Sequence, residues 1–197
     1  MGATPVCHSR LLDGKMYEAL LRLDLEQLEE AQSRGCAYCG GPLDRGDYPR
    51  KPRGGPEGEA ALLRRLSLCC RLEGCRRRST PPSVLFLGRR VYLATVVVLV
   101  AVLRHGLTPR RMDRLRRTFG VSRRTLKRWR AWWRDTFVAT RCWREVRGRI
   151  VPAVNEAEVV RELFDRFAGD FATRFRVLLR TLSPVTASPG FDLERPC

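Results

Sequence analysis

The sequence predicts a mainly α-helical chain that carries a small β module held by cysteines, then a helix-turn-helix domain, then a C-terminal amphipathic helix. Three observations lead there. Five of the eight cysteines lie between Cys36 and Cys75. Apolar residues recur at three- and four-residue spacing on both sides of Gly120, and again from Val160 to Leu182. Charge divides the same regions: residues 76–149 carry 21 Lys and Arg against 3 Asp and Glu, while residues 1–75 carry 11 of each and residues 150–197 carry 6 and 7. The middle is therefore +18 and the flanks −1, in a chain of net charge +17. An imbalance of that size repels itself in a compact fold and is usually retained where a polyanion neutralises it. Arg outnumbers Lys there by 20 to 1, and the planar guanidinium fork suits phosphate and guanine edges better than a point charge does.

With 197 residues and an apolar fraction of 44%, the chain can bury a real core or divide into small modules, and the charge map favours modules. The expected units are an N-terminal amphipathic helix (1–34), the cysteine module (35–79), the helix-turn-helix domain (84–149), a C-terminal helical segment (150–183) and a loose tail (184–197). Met1–Lys15 lacks the basic, apolar and small-residue succession of a secretory signal. The longest apolar run, Val91–Leu103 with Thr95 inside it, is 13 residues, short of the roughly 20 a bilayer needs. The expected setting is cytoplasmic and nucleoid-associated, with no membrane partner.

From about Asp13 to Ser33, Met16, Leu20, Leu23 and Leu21, Leu25, Leu28 repeat at helical spacing with Glu26, Glu29 and Glu30 opposite, the signature of an amphipathic helix. The cysteines follow. Cys36 and Cys39 form a C-x-x-C before Gly40-Gly41, which lets the backbone turn so that both sulfurs face one ion. Thirty residues on, Leu66–Arg71 reads as a short strand ending in Cys69-Cys70, with Cys75 beyond. Cys36, Cys39, Cys70 and Cys75 would hold a structural Zn2+ with four thiolates, as in a zinc ribbon. Cys70 is preferred to Cys69 because C-x4-C closes the tighter knuckle; Cys69 is then a small buried hydrophobe, or itself the ligand should the register be shifted by one. Cys7, Cys142 and Cys197 have no partner at ligand spacing. Between the two halves, Arg45–Glu59 reads as an exposed loop, and Thr80-Pro81-Pro82-Ser83 reads as a stiff hinge to the next module.

Val91–Arg104 is apolar on nearly every face. The run Val96–Val98 leaves a strand open, whereas its length and Gly106 favour a buried helix ending near His105. Thr108-Pro109 then opens a helix with an N-cap and a proline at the first position. Met112, Leu115 and Phe119 form its apolar face, Gly120 supplies a left-handed stop, and Ser122 caps a second helix from Arg123 to about Phe137. At 100° per residue, Leu126, Trp129, Trp133 and Phe137 share the core stripe. Arg124, Arg128, Ala131 and Asp135 lie opposite, with Lys127 and Arg134 on the flank. Trp132 is off the stripe and is the better stacking candidate. Arg124, Lys127 and Arg128 sit in the N-terminal half, the part of a recognition helix that reaches base edges. Arg123 and Arg134 on this helix and Arg110 and Arg111 on the one before it join the candidate DNA contacts, and Arg76-Arg77-Arg78 reads as a phosphate clamp. Arg123 and Arg124 occupy a first helical turn, where the macrodipole disfavours cations, and nearby phosphates would reverse that penalty.

Asn155 and Glu158 form a capping-box start to one helix reaching Leu182, or to two broken near Gly169. Val160, Phe164, Phe167, Phe171, Phe175, Leu178 and Leu182 make a seam that must be covered, by the helix-turn-helix core or by a homodimer or transposase partner. Beyond Ser183 the composition suggests a loose end.

In order, the cysteine knuckle, Arg76–Pro82 and the helix-turn-helix resemble the front end of bacterial insertion-sequence transposases and their small companion proteins, over about Gly35–Phe137. The resemblance implies a zinc ribbon and helix-turn-helix that bind element ends, with strand cutting left to an acidic two-metal domain. Only 48 residues follow Arg149, too few for that domain, and Glu156, Glu158, Glu162, Asp165 and Asp170 read as one solvated helix side. The expectation is a non-catalytic double-stranded DNA-binding protein, a transposase-related accessory subunit or remnant. A sequence-specific transcription regulator is the alternative in the same class; an RNA-binding or ribosome-associated zinc-ribbon protein is the alternative in another.

Overall fold

The computed structural model describes residues 14–50, 64–87, 98, 108–148, 150 and 152–187. Cys7, His8, His105, Cys197, residues 51–59 and the Val91–Leu103 run apart from Val98, which is helical and buried, lie outside that set, as does the side chain of Arg111. The described chain is mainly helical with small antiparallel sheets.

Helix α1 (Gly14–Arg34) follows the expected periodicity, and its stripe serves two cores. Met16, Tyr17 and Leu20 join a large helical core, while Leu28 and Ala31 pack with Cys36, Leu43, Leu66, Leu68 and Cys70 in the cysteine module. Each leucine buried in this way stabilises the fold by about 1.5–3 kcal/mol. The module itself is a three-stranded antiparallel sheet in the order β1 (Leu43–Arg45), β4 (Leu68–Cys70), β5 (Arg78–Ser79). Beside it, β2 (Tyr48–Pro49) pairs with β3 (Arg64–Arg65). That pairing corrects the reading of Arg45–Glu59 as a loop throughout: Asp47 accepts a hydrogen bond from the Ser67 backbone at 3.0 Å and so draws the chain back to the second half.

Thr80–Ser83 is not a hinge. The Arg65 guanidinium donates to the Pro81 carbonyl, and the Ser83 amide donates to Thr186 Oγ1 at 2.8 Å. The Ser83 hydroxyl donates to Asp24 on α1 and accepts from the amides of Leu85 and Phe86. Asp24, Arg65 and Ser83 are all nearly inaccessible. Two prolines stiffen the segment as expected, but buried hydrogen bonds fasten it instead of leaving it as a joint.

Helix α2 (Pro109–Phe119) starts at its proline and buries Met112, Leu115 and Phe119. Gly120, at φ 63°, makes the left-handed turn that an L side chain would resist, and buried Val121 leads into α3 (Arg123–Ala131). Regular α geometry stops at Ala131 rather than near Phe137: Trp132–Thr136 form a wider π turn and Phe137–Ala139 a tighter 3-10 turn. Widening the turn brings two adjacent indoles against the core, with Trp133 buried and Trp132 half-buried against it at 4.7 Å between ring centroids. Trp132 is thus a packing residue and not a free stacking platform. Phe137 stands 5.0 Å from Trp133 and 5.6 Å from Trp143 of α4 (Arg141–Arg147).

The C-terminal segment breaks at Gly169, φ 102°, into α5 (Val159–Arg166) and α6 (Phe171–Leu182), after a 3-10 turn at Glu156–Glu158. Asn155 caps that turn through the Ala157 amide, but the carboxylate that returns to the Asn155 amide is Glu162, not Glu158, because the 3-10 turn displaces the α register. The aromatic seam is covered within the chain: Val160, Phe164, Phe175, Leu178 and Leu182 belong to the same core as α2 and α3, with Phe167 and Phe171 packed on it. Residues 183–186 are not loose; they form a 3-10 turn with Ser183 and Thr186 buried.

Candidate metal centre and nucleic-acid interface

Strand alternation decides which cysteine of the 69/70 pair faces inward. In β4, Leu68 and Cys70 are buried and Cys69 is only half-buried on the opposite face. Cys70, paired with Leu43, meets Cys36, Cys39 and Cys75, and all four sulfurs lie within 4.8 Å of one another. Cys69 points away, its sulfur near the carbonyls of Cys70 and Arg76.

The spacing of the sulfurs is informative. Cys39 and Cys70 are 3.5 Å apart and Cys36 and Cys75 3.8 Å apart, far beyond a disulfide bond. A tetrahedron with metal–sulfur bonds of about 2.3 Å has edges of about 3.8 Å. Each sulfur also accepts a backbone N–H from two residues on: Tyr38 for Cys36, Gly41 for Cys39, Leu72 for Cys70 and Arg77 for Cys75. Hydrogen bonds of this kind favour the thiolate. At Cys36 the Tyr38 amide, against the opposing effect of burial, brings the thiol down to about 7, whereas at Cys39, Cys70 and Cys75 burial and the neighbouring sulfurs outweigh the amide donors and hold the thiols above their ordinary value. Four converging sulfurs with amide donors behind them fit a soft divalent ion such as Zn2+. Among the described residues no other group of His, Cys, Asp or Glu is so arranged. Cys142 is buried on α4, and burial pushes its thiol up to about 11, as suits an unreactive packing residue.

The basic side chains of α3 stand on the face away from the core. Leu126, Trp129, Trp133 and Phe137 are buried, whereas Arg123, Arg124, Lys127, Arg128 and Arg134 are exposed. Ser122 caps the helix, with its backbone extended and its hydroxyl accepting the Thr125 amide at 3.2 Å. Arg123 reaches back to Asp113 of α2 at 3.2 Å, tying the start of α3 to its neighbour. Arg134 is held by the adjacent Asp135 at 2.7 Å, so its charge is locally compensated. Among the described residues, no carboxylate pairs with Arg124, Lys127 or Arg128 in this way. Arg110 is exposed at the start of α2.

The Arg76–Arg78 group divides. Arg78 donates to the Gly46 carbonyl at 2.6 Å and to Ser67 Oγ at 3.0 Å, which places its guanidinium across the sheet. Arg77 lies over the Tyr38 ring at 4.3 Å, and Arg76 is exposed at φ 46°. The acidic residues of the C-terminal segment are engaged with their own surroundings: Glu156 accepts from Trp143 Nε1 and Arg147, Asp165 pairs with Arg174, and Asp170 caps α6. Two features escape a reading of the sequence. Asp24 was invisible as a buried centre because a carboxylate implies surface, although its place four residues from both Leu20 and Leu28 put it on the apolar stripe. The pairing of Arg77 with Tyr38 joins residues that no local pattern connects.

No helix among the described residues is long and apolar enough to cross a membrane. Searches against protein families, curated proteins and solved structures found no match to this chain.

Proposed function

We propose that the protein is a non-catalytic double-stranded DNA-binding protein in which α2, the Gly120 turn and α3 act as a helix-turn-helix and a zinc ribbon supports them. One observation carries the reading: Arg124, Lys127 and Arg128 project outward from a helix whose opposite face is buried through Leu126, Trp129 and Trp133. A helix docked in the major groove places its N-terminal half against base edges, where Arg reads guanine O6 and N7 through two parallel hydrogen bonds. Arg124 and Arg128, four residues apart, follow one line of α3, and Ala131 continues that line with a small side chain that lets the backbone come near the duplex. Arg123, fixed by Asp113, and Arg110 serve phosphates at the margins; Arg111 belongs with them by sequence position. Arg134, paired at the surface with Asp135 as Arg123 is with Asp113, stays with them at the margin, and Arg78 leaves the proposed contact set because its guanidinium is committed to Gly46 and Ser67.

The four cysteines hold Zn2+ as a structural ion: closing two knuckles onto one metal fixes β4 against β1 and lets so small a sheet persist. The order of these parts is consistent with an accessory protein of DNA transposition. Since the C-terminal seam is covered by the chain's own core, the proposal includes no dimer.

Competition between duplex DNA and structured RNA tests the class of ligand. The protein is expected to hold duplex DNA against excess RNA and to lose about 10³-fold in affinity or more between about 50 and 200 mM salt, as six or more phosphate contacts require. Preferential displacement by RNA would reject the duplex reading.

A further inference from the structure

Among the described residues, the large apolar side chains left exposed are Tyr38 at 46%, Leu72 at 47% and Val177 at 40%. Val177 stands alone on α6, and isolated exposure of that kind is ordinary. Tyr38 and Leu72 are different because each belongs to the tip of a cysteine knuckle and both knuckles close on one cluster. Their positions are held. Leu72 lies so close over Gly41 that a Cβ there would meet its Cδ1 at 2.5 Å, and its carbonyl accepts the amides of Cys75 and Arg76. The Tyr38 ring is backed by the Arg77 guanidinium at 4.3 Å. Arg76 is exposed beside Leu72, whose carbonyl accepts its amide, and its charge reaches Asp44 without closing a salt bridge, while Arg77 is exposed over Tyr38. A rigid apolar tip flanked by arginines matches the side chains that architectural proteins insert between base steps from the minor groove.

The module that carries the tip and the core that carries α3 are joined through one helix. Helix α1 is shared by both cores, and Leu20 in one and Leu28 in the other are separated by about 12 Å along its axis. Asp24 and Ser83 fasten the middle of that strut.

Building on the duplex-binding reading above, we propose that Tyr38 and Leu72 form a wedge that enters the minor groove of the duplex held by α3 and kinks it. Arg76 and Arg77 line the groove entrance, where the potential is most negative. The protein therefore bends the DNA that it binds.

The test measures the end-to-end distance of a fluorophore-labelled duplex, taken from sequences selected by the wild-type protein, with and without protein. The wild type is expected to bend it by an angle in the range of about 20–90°. Tyr38→Ala with Leu72→Ala is expected to leave the duplex nearly straight, to keep zinc content and thermal stability, and to retain the selected sequence. Lys127→Ala, outside the tip, is expected to weaken binding but to keep the bend at saturation. A straight duplex with wild-type protein bound, or an equal bend with the double variant, overturns the wedge and leaves the α3 reading standing. Failure of the wild type to bind any duplex overturns both.

Discussion

Ser83 donates its hydroxyl proton to Asp24, a residue 59 positions earlier, in the buried space between α1 and the Pro81-Pro82 segment. The Val84 amide donates to the other carboxylate oxygen at 2.6 Å, so both oxygens act as acceptors. Burial, the largest influence, raises the Asp24 carboxyl to about 6, and the bonds from Ser83 and Val84 and the nearby Arg65 only partly oppose it. The folded protein then holds this proton more tightly than the unfolded chain does. Between about pH 4 and pH 6 the folded state binds more protons at this site, so its contribution to stability declines as pH rises through that window. The expected size is on the order of 2–3 kcal/mol. Denaturant unfolding at several pH values, for wild type and Asp24→Asn, checks it: the difference between their stabilities should change across pH 4–6 in that direction and be level above pH 7. A constant difference would show an unperturbed carboxyl.

The sulfur cluster separates two adjacent cysteines by function. On the proposal that the cluster holds zinc, Cys70→Ser is expected to reduce bound metal from about one per chain toward none and to unfold the cysteine module, because in small structural sites metal binding and folding are one equilibrium. Cys69→Ser should keep the metal, since its sulfur faces away. Metal analysis of protein purified without chelator, with circular dichroism, checks both; equal loss in the two variants would place the third ligand wrongly.

The turn between α2 and α3 depends on two small residues. Ser122→Ala removes the hydroxyl that accepts the Thr125 amide and should cost about 1 kcal/mol. Gly120→Ala meets no steric obstacle but must adopt φ 63°, which costs about 1–2 kcal/mol for an L side chain. Equilibrium unfolding in urea measures both, and a stabilised Gly120→Ala protein would contradict the left-handed turn.

Trp143 is buried with its indole N–H on Glu156 at 2.9 Å, which joins α4 to the turn before α5. Trp143→Phe retains much of the ring packing on Phe137 but removes the N–H that Glu156 accepts, leaving that carboxylate to Arg147 and solvent, and should cost about 1–3 kcal/mol. Glu156→Gln should cost less, because Gln still offers an acceptor to the indole. Thermal unfolding of the two variants gives the order.

Local chemistry was legible wherever one residue type answers one local need. Pro109, Gly120 and Ser122 mark the α2–α3 turn, the Leu126–Trp129–Trp133–Phe137 stripe is buried as its spacing requires, and the four sulfurs meet as C-x-x-C and C-x4-C imply. Long-range pairing was not legible. Tyr48 finds Arg65 and Ser83 finds Thr186 through contacts that no periodicity encodes, so the sequence suggests a loop where β2 pairs and a hinge where the segment is fastened. Helix register failed for a different reason. Two neighbouring tryptophans both gain by packing, and the backbone widens to allow it, which a fixed 100° step cannot anticipate.

Selection of bound fragments from a random duplex pool, run in parallel for the wild type and Arg128→Ala, bears most directly on the outward face of α3. The wild type is expected to enrich a defined sequence, and Arg128→Ala to lose discrimination at one base pair within it by about 1–3 kcal/mol. A wild-type pool that stays random after repeated selection, or an unchanged sequence with Arg128→Ala, would contradict the assignment of α3 as the helix that reads DNA.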